Sequence, residues 1–181
     1  TATGIGAHAS TPDVGNNALT GLLVFLGKLD FASCPQVDMV RKTASLFPHG
    51  DVNGKTLGVA MEDELSGNLT LSFNMLSVDA ASMDGEFDGR IPVCGNDENV
   101  LEVVRARMAE QGLTLLNKAL IPPHHVSADS YFVKTLLAAF ELYTGRKGEC
   151  QALGGGTYVH HLENGVAFGA AMPETDNKMH G

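Results

Sequence analysis

Apolar and polar residues alternate through the segment NLTLSFNMLSVD, residues 68–79. A period of two is typical of a strand buried on one face, so every second residue from Leu69 to Met75 is expected to face the core. The segment GEFDGRIPV, residues 85–93, predicts the hairpin partner of this strand across ASMDG. A further strand is predicted for LTLLNKALI, residues 113–121.

Four segments have the composition and the boundary residues of helices. They are ALTGLLVFLGKL, CPQVDMVRKTASLF, NDENVLEVVRARMAEQG and YFVKTLLAAFELYTG. Side chains that accept hydrogen bonds from the first helical N–H groups, proline in a first turn and glycine after a last turn mark such boundaries. The residues expected at these boundaries are Asn16 or Asn17, Pro35, Gly112, and Ser127 or Asp129.

The pattern divides the chain into two parts of the α/β class. Residues 1–120 predict an open-faced α+β sandwich, an antiparallel sheet with two helices on one face. After IPPHHVSADS, the segment CQALGGGTYVHHL predicts a strand, a glycine loop and the start of a helix, and GVAFGAA predicts a buried strand, as in a doubly wound sheet. About sixty residues are too few to form such a domain, so residues 121–181 are expected to belong to a larger one.

Composition excludes several classes of protein. Hydrophobic residues make up 44% of the 181 residues, which is enough for a packed core and argues against disorder. The net charge of −9 argues against nucleic-acid binding, since a phosphate-binding protein needs a basic face. No apolar run approaches the length of a membrane span. Three cysteines without a C-x-x-C pair favour free thiols in a reducing cytoplasm.

Two candidate sites stand out from the residues alone. His8 lies among glycines and small residues in GIGAHASTPDVGNNA, where it is either a catalytic or ligating group or an exposed loop histidine. The glycines at 154–156, followed by Thr157, let a backbone approach a ligand and offer N–H groups to an anion. A tight strand-to-helix turn is the alternative for these glycines, because no phosphate-loop motif is present.

The remaining candidates are weaker. Arg90, in a predicted strand, is either a solvated charge or a bidentate clamp on a carboxylate. His180 follows a predicted buried strand and is a mild candidate for a metal ligand. The pairs at 124–125 and 160–161 are interpreted as surface histidines or as supporting residues, since adjacent side chains point in different directions.

The order of five motifs resembles metallopeptidase family twenty, which includes aminoacylases, carboxypeptidase G and carnosinase, and within it the bacterial dipeptidase V branch. The motifs are GIGAHASTPDVGNNA, GRIPV, PHHVSADSYFVKTLLAAFELYTG, GGGTYVHHLENGVAFG and MPETDNKMH. The resemblance implies that residues 1–120 are the later part of a lid domain. It implies that residues 121–181 are the C-terminal part of a catalytic domain that holds two zinc ions.

The resemblance also implies roles for single residues. His8 corresponds to the lid histidine that stabilises the oxyanion, and Arg90 to the arginine that binds the terminal carboxylate of the substrate. His180 corresponds to the last metal ligand of the family. Gly154, Gly155, Gly156 and Thr157 correspond to the loop that lines the substrate pocket.

Two functions follow as hypotheses. In the first, the chain is a fragment of a cytoplasmic zinc dipeptidase, with manganese or cobalt as alternative metals. The fragment would be inactive alone, because the other metal ligands and the general base of the family would lie upstream of Thr1. Its expected partners are a dipeptide substrate, the missing N-terminal part of the catalytic domain and a second copy of the fragment. In the second, the chain is a non-catalytic binding or assembly module that keeps the lid fold.

Overall fold

The computed structural model describes residues 1–169. Helices and small antiparallel sheets are combined in these residues, which confirms the predicted α/β class. The chain separates into two compact units, Thr1–Pro123 and the residues from His124 onward. The assignment of these units to a lid and to a catalytic piece stays a prediction. In the described part of the chain, no helix has the length and apolar character needed to cross a membrane.

The first unit contains three of the predicted helices. They are α1 (Ala18–Gly27), α2 (Pro35–Leu46) and α3 (Glu102–Glu110), and a π-helical turn, Asp97–Leu101, leads into α3. Asn17 caps α1 and Pro35 lies in the first turn of α2, as predicted. Gly112 follows α3 with φ of +75°, a conformation that glycine adopts without strain.

The strands of the first unit form two antiparallel pairs. They are β1 (Glu62–Asp63) with β2 (Gly67–Asn68), and β3 (Thr70–Val78) with β4 (Met83–Arg90). The predicted hairpin is therefore confirmed. Its alternation ends early, because the register shifts between Phe73 and Met75. This bulge turns Met75 outward, to 59% exposure, and Leu76 packs against the core instead.

The strand predicted for LTLLNKALI is wrong. Residues 113–121 form neither helix nor strand. Their backbone is held by side chains, because Arg105 donates a 2.8 Å hydrogen bond to the carbonyl of Asn117, and Asp97 accepts one of 2.8 Å from the N–H of Leu120. With these groups satisfied, Leu113, Leu115 and Leu120 pack against the core without a neighbouring strand, whereas Leu116 is exposed.

One core joins the helices to the inner face of β3. Its buried side chains are Leu23, Leu46, Phe47, Leu57, Val59, Leu69, Leu71, Phe73, Val100 and Val104. Phe47, just after α2, stacks on Phe73 with ring centroids 4.6 Å apart and contacts Phe87 of β4 at 5.3 Å. Such aromatic pairs add to the free energy gained from burial and fix the hairpin against the helices.

The second unit contains α4 (Tyr131–Thr144), the fourth predicted helix. Its cap is Ser130, whose hydroxyl accepts from the N–H of Val133, and not Ser127 or Asp129. The hydroxyl of Ser127 instead accepts from the N–H of Asp129. The strands predicted after α4 are absent from residues 146–169, and residues 170–171 of the predicted strand GVAFGAA lie outside the described residues. A strand needs a neighbouring strand to pair its N–H and C=O groups, and residues 124–169 supply no such neighbour.

Candidate functional site

The motif GIGAHASTPDVGNNA forms a closed loop, residues 5–16, called here the His8 loop. Its base is an antiparallel bridge in which Ile5 and Asn16 exchange hydrogen bonds of 3.0 and 2.8 Å. Glycine is needed where the two limbs approach each other. A Cβ added at Gly4 would lie 2.1 Å from the carbonyl oxygen of Asn16, and one at Gly15 would lie 2.7 Å from the Cβ of Ala7.

His8 is half-buried at the tip of this loop. Its Nδ1 lies 2.7 Å from the hydroxyl of Ser10 and 3.2 Å from the N–H of Ser10. A backbone N–H can only donate, so Nδ1 accepts and the proton of the neutral ring is on Nε2. The N–H of Thr11 donates to the carbonyl of His8 over 2.9 Å and closes the turn. These bonds fix both the orientation and the tautomer of the imidazole.

The His8 loop is attached to the polar face of the β3–β4 hairpin. Residues paired directly across an antiparallel sheet share a face, and Thr70 pairs with Arg90 while Ser72 pairs with Asp88. These four residues form the face opposite the buried Leu71, and we call it the polar face. The hydroxyl of Thr70 donates to the carbonyl of Ala9 over 2.8 Å. The loop of His8 and the strand of Arg90 therefore meet through one side chain.

Arg90 already binds a carboxylate in two-point geometry. Its Nε and Nη2 donate to the two oxygens of Asp88 over 2.6 and 3.0 Å. The two side chains are 31% and 35% exposed, so the ion pair is only partly buried. Asp88 uses the Nε–Nη2 edge of the guanidinium and not the Nη1–Nη2 edge. The partner is a carboxylate of the chain itself, and the role of Arg90 as a clamp on a substrate carboxylate stays a prediction.

The loop that follows Arg90 is held by Asp63. One oxygen of Asp63 accepts from the N–H groups of Leu65 and Ser66, and the other accepts from the N–H of Cys94 over 3.0 Å. These bonds, led by the one from the backbone of Ser66, lower the pKa of Asp63 to about 2 against an opposing effect of desolvation. The ionised carboxylate therefore anchors the chain just beyond β4.

The glycine loop lies in the second unit. Gly154, Gly155 and Gly156 are exposed, and Thr157 is half-buried, with its carbonyl accepting from the N–H of His160 over 3.0 Å. No heavy atom lies within 4 Å of a Cβ added at Gly156. A larger side chain would therefore fit at Gly156, and the backbone there is not covered by neighbouring atoms. The predicted helix start after the loop is a series of turns.

Three histidines of the second unit, His124, His160 and His161, lie close together. The Nε2 of His124 donates to the carbonyl of Gly165 over 2.7 Å. The ring of His160 lies 5.8 Å from that of His124 and 5.5 Å from that of His161, between centroids. Across residues 1–169, no three His, Cys, Asp or Glu side chains are grouped so that they could hold a metal ion. His180 lies outside the described residues.

The sequence predicted His8 and Arg90 as candidate site residues but did not identify Thr70 and Asp88, which contact the His8 loop and Arg90. The roles of these two residues depend on strand pairing, which the sequence does not state. Asp88 did carry a signal, because residues two apart on a strand share a face.

Comparison with known proteins relates the chain to dipeptidases, although no family model matches it. It is 33% identical over 178 residues to the "Beta-Ala-Xaa dipeptidase" of Lactobacillus delbrueckii subsp. lactis. It is 36% identical over 182 residues to the "Putative dipeptidase YtjP" of Bacillus subtilis (strain 168). Each similarity covers 98% of this chain and 37% of the relative, so the chain spans little more than a third of their length. The names support a dipeptidase relationship without singling out a branch.

Proposed function

We propose that this chain is part of a metal-dependent dipeptidase of the dipeptidase V branch, in which His8 and Arg90 bind the substrate. Relatives named dipeptidase match nearly the whole chain. The hydrogen bond from Thr70 to Ala9 supports the proposal most directly, because it attaches the loop of His8 beside the strand position of Arg90. One face of the first unit would then provide two contacts to a single small substrate.

Arg90 would bind the terminal carboxylate of the dipeptide. Its Nη1–Nη2 edge can donate two parallel hydrogen bonds to a carboxylate while Asp88 holds the other edge. A free carboxylate at a fixed distance from the scissile bond would restrict the substrate to two residues. This is the physical basis for a dipeptidase rather than a general peptidase.

His8 would stabilise the oxyanion of the tetrahedral intermediate. The N–H and hydroxyl of Ser10 hold Nδ1 as an acceptor, which places the ring proton on Nε2, where it can be donated to a developing negative charge. A donor that is oriented before the reaction needs no reorganisation during it. Loss of one such donor typically lowers kcat by about 100-fold to 1000-fold.

Among residues 1–169, no three His, Cys, Asp or Glu side chains are grouped so that they could hold a zinc ion. We assign the proposed ligands of the two zinc ions to His180 and to residues of a longer protein, with manganese or cobalt as alternative metals. The glycine loop at 154–156 and Thr157 would line the substrate pocket. In this proposal the enzyme is cytoplasmic and the 181-residue chain alone is inactive.

The apolar surface of α4 favours association with further protein. Tyr131, Leu142 and Tyr143 are more than three-quarters exposed on this helix. Tyr131 lies in the first turn of the helix and Leu142 and Tyr143 lie in its last turn, and large exposed apolar side chains are typical of an interface. We propose that they contact the part of a longer protein that this chain does not span. A second copy of the fragment would replace that contact in isolation, and a non-catalytic assembly module is the alternative function for the same surface.

The proposed function is tested with a dipeptide and its C-terminal amide as paired substrates. The intact gene product, supplied with zinc or manganese, is compared with its Arg90→Met variant. We expect hydrolysis of the dipeptide in preference to the amide, and loss of that preference in Arg90→Met. An intact product that hydrolyses neither substrate, or an Arg90→Met variant that keeps the preference, would contradict the proposal.

A further inference from the structure

We propose that Asp88 is a positioning residue that orients Arg90 for the carboxylate of the substrate. Asp88 has this role only if Arg90 binds that carboxylate, as in the proposed function. Arginine has a long side chain with several rotatable bonds, and holding it in one orientation costs conformational entropy. The two hydrogen bonds to Asp88 hold the Arg90 side chain in one orientation before the substrate binds. Substrate binding then loses less conformational entropy.

The hydrogen bonds to Asp88 leave the Nη1–Nη2 edge of the guanidinium for a second carboxylate. Asp88 accepts from Nε and Nη2, so a substrate can approach the Nη1–Nη2 edge in the same plane. A planar guanidinium binds two carboxylates on adjacent edges without rotating. Asp88 therefore need not leave Arg90 when the substrate arrives.

Strand pairing fixes Asp88 in this arrangement. Asp88 and Arg90 lie two residues apart on β4 and share a face, opposite Ser72 and Thr70 of β3. Those two neighbours have other partners, since Ser72 donates to the side chain of Asn74 over 2.7 Å and Thr70 donates to Ala9. Neither hydroxyl donates to the carboxylate of Asp88, so both of its oxygens serve Arg90.

The carboxylate of Asp88 also offsets the charge of Arg90. An unpaired guanidinium attracts any anion, whereas a paired one selects a carboxylate through the directions of its remaining N–H groups. Removing Asp88 should therefore weaken the binding of a dipeptide more than it changes the chemical step. The effect should appear in KM and depend on the carboxylate of the substrate.

The test measures kcat and KM of the intact gene product for a dipeptide and for its C-terminal amide. In Asp88→Ala we expect KM for the dipeptide to rise roughly threefold to tenfold, which is the cost of ordering one long side chain. We expect little change in kcat or in the constants for the amide. Asp88→Asn keeps one acceptor oxygen and should give an intermediate KM.

Asp84→Ala is the matched control, because it removes the same charge from an exposed position of β4. It should leave all four constants unchanged. A fall in KM for the dipeptide in Asp88→Ala would show that Asp88 competes with the substrate and would overturn the proposal. Equal changes for dipeptide and amide, or a similar KM increase in Asp84→Ala, would also overturn it.

Arg90→Met separates this inference from the proposed function. If Arg90→Met removes the preference for the dipeptide and Asp88→Ala leaves KM unchanged, only the positioning role of Asp88 fails. If Arg90→Met keeps the preference, both fail. Should Asp88→Ala not fold, the KM of Asp88→Asn decides the matter by the same criteria.

Discussion

The hydroxyl of Thr70 donates a 2.8 Å hydrogen bond to the carbonyl of Ala9, a residue that lies 61 positions earlier in the chain. Thr70 is also the direct strand partner of Arg90. One hydroxyl group thus attaches the loop that carries His8 to the end of the hairpin that carries Arg90. In the proposed function, in which both residues act on one substrate, this bond helps to fix the distance between His8 and Arg90.

Removing this hydroxyl should loosen the His8 loop. Thr70→Val keeps the shape of the side chain but leaves the carbonyl of Ala9 without its donor, and should cost about 1 kcal/mol of unfolding free energy. The amide of Thr11, which donates to the carbonyl of His8, should exchange its hydrogen faster. Thr70→Ser keeps the hydroxyl and is the control. Equal exchange rates of Thr11 in the two variants would refute the proposed attachment.

The close approach at Gly15 should make this position intolerant of alanine. Its φ of −102° suits any residue, so the penalty is the contact of the new Cβ with Ala7 and with the carbonyl of Ile5. Overpacking of this kind costs about 1–3 kcal/mol. Gly6→Ala is the control, since no heavy atom lies within 4 Å of its added Cβ. Urea unfolding should show a loss of stability in Gly15→Ala, and a loss as large in Gly6→Ala would argue against a steric cause.

Asn17 should contribute to stability in two separable ways. Its Oδ1 accepts from the N–H groups of Leu19 and Thr20, and its Nδ2 donates to the carbonyl of Phe73 over 2.8 Å. Asn17→Ser keeps a helix cap and loses only the bond to β3, at about 1 kcal/mol. Asn17→Ala loses both, at about 2 kcal/mol. Thermal or urea unfolding measures the difference, and equal losses would mean that the cap contributes nothing.

Asp63 should make the stability of the first unit depend on pH in the acid range. Its pKa is lowered in the folded protein, from 3.8 to about 2, by the N–H donors around it. The stabilisation is therefore complete above the unfolded value and is lost as the pH falls through about 2. In Asp63→Asn, the unfolding free energy should fall less steeply than in the wild type as the pH is lowered from 3.8 to about 2. Parallel pH profiles for the wild type and the variant would contradict this role.

Local structure was largely predictable from the sequence. The alternation that begins at Leu69 identified β3, and short-range signals identified all four helices, because these features depend on neighbours in the chain. The bulge after Phe73 was not predictable, because it arises from the pairing of β3 with β4. The leucines of residues 113–121 suggested a strand, but side chains from α3 and from the π-helical turn satisfy the backbone there.

The candidate site was predictable only in part. His8 and Arg90 were identified from their motifs, and the glycine loop from its composition. The Thr70–Ala9 bond, which attaches the loop of His8 to the strand of Arg90, joins distant parts of the chain and was not predictable. The contacts that orient the two side chains are local, since Ser10 and Asp88 each lie two residues from their partner. Asp88 could have been predicted, because its spacing from Arg90 on a strand implies a shared face and opposite charges on that face attract. Such pairs are worth considering wherever a functional arginine is predicted in a strand.

The most direct test of the proposed dipeptidase is hydrolysis of a dipeptide, with added zinc or manganese, by the intact gene product and its His8→Ala variant. His161→Ala, which removes an exposed imidazole of the second unit, is the control, and the 181-residue chain is assayed beside them. We expect activity in the intact product and in His161→Ala, a fall in kcat of about 100-fold or more in His8→Ala, and none in the 181-residue chain. Full kcat in His8→Ala, or an intact product that binds no metal and cleaves no dipeptide, would contradict the account.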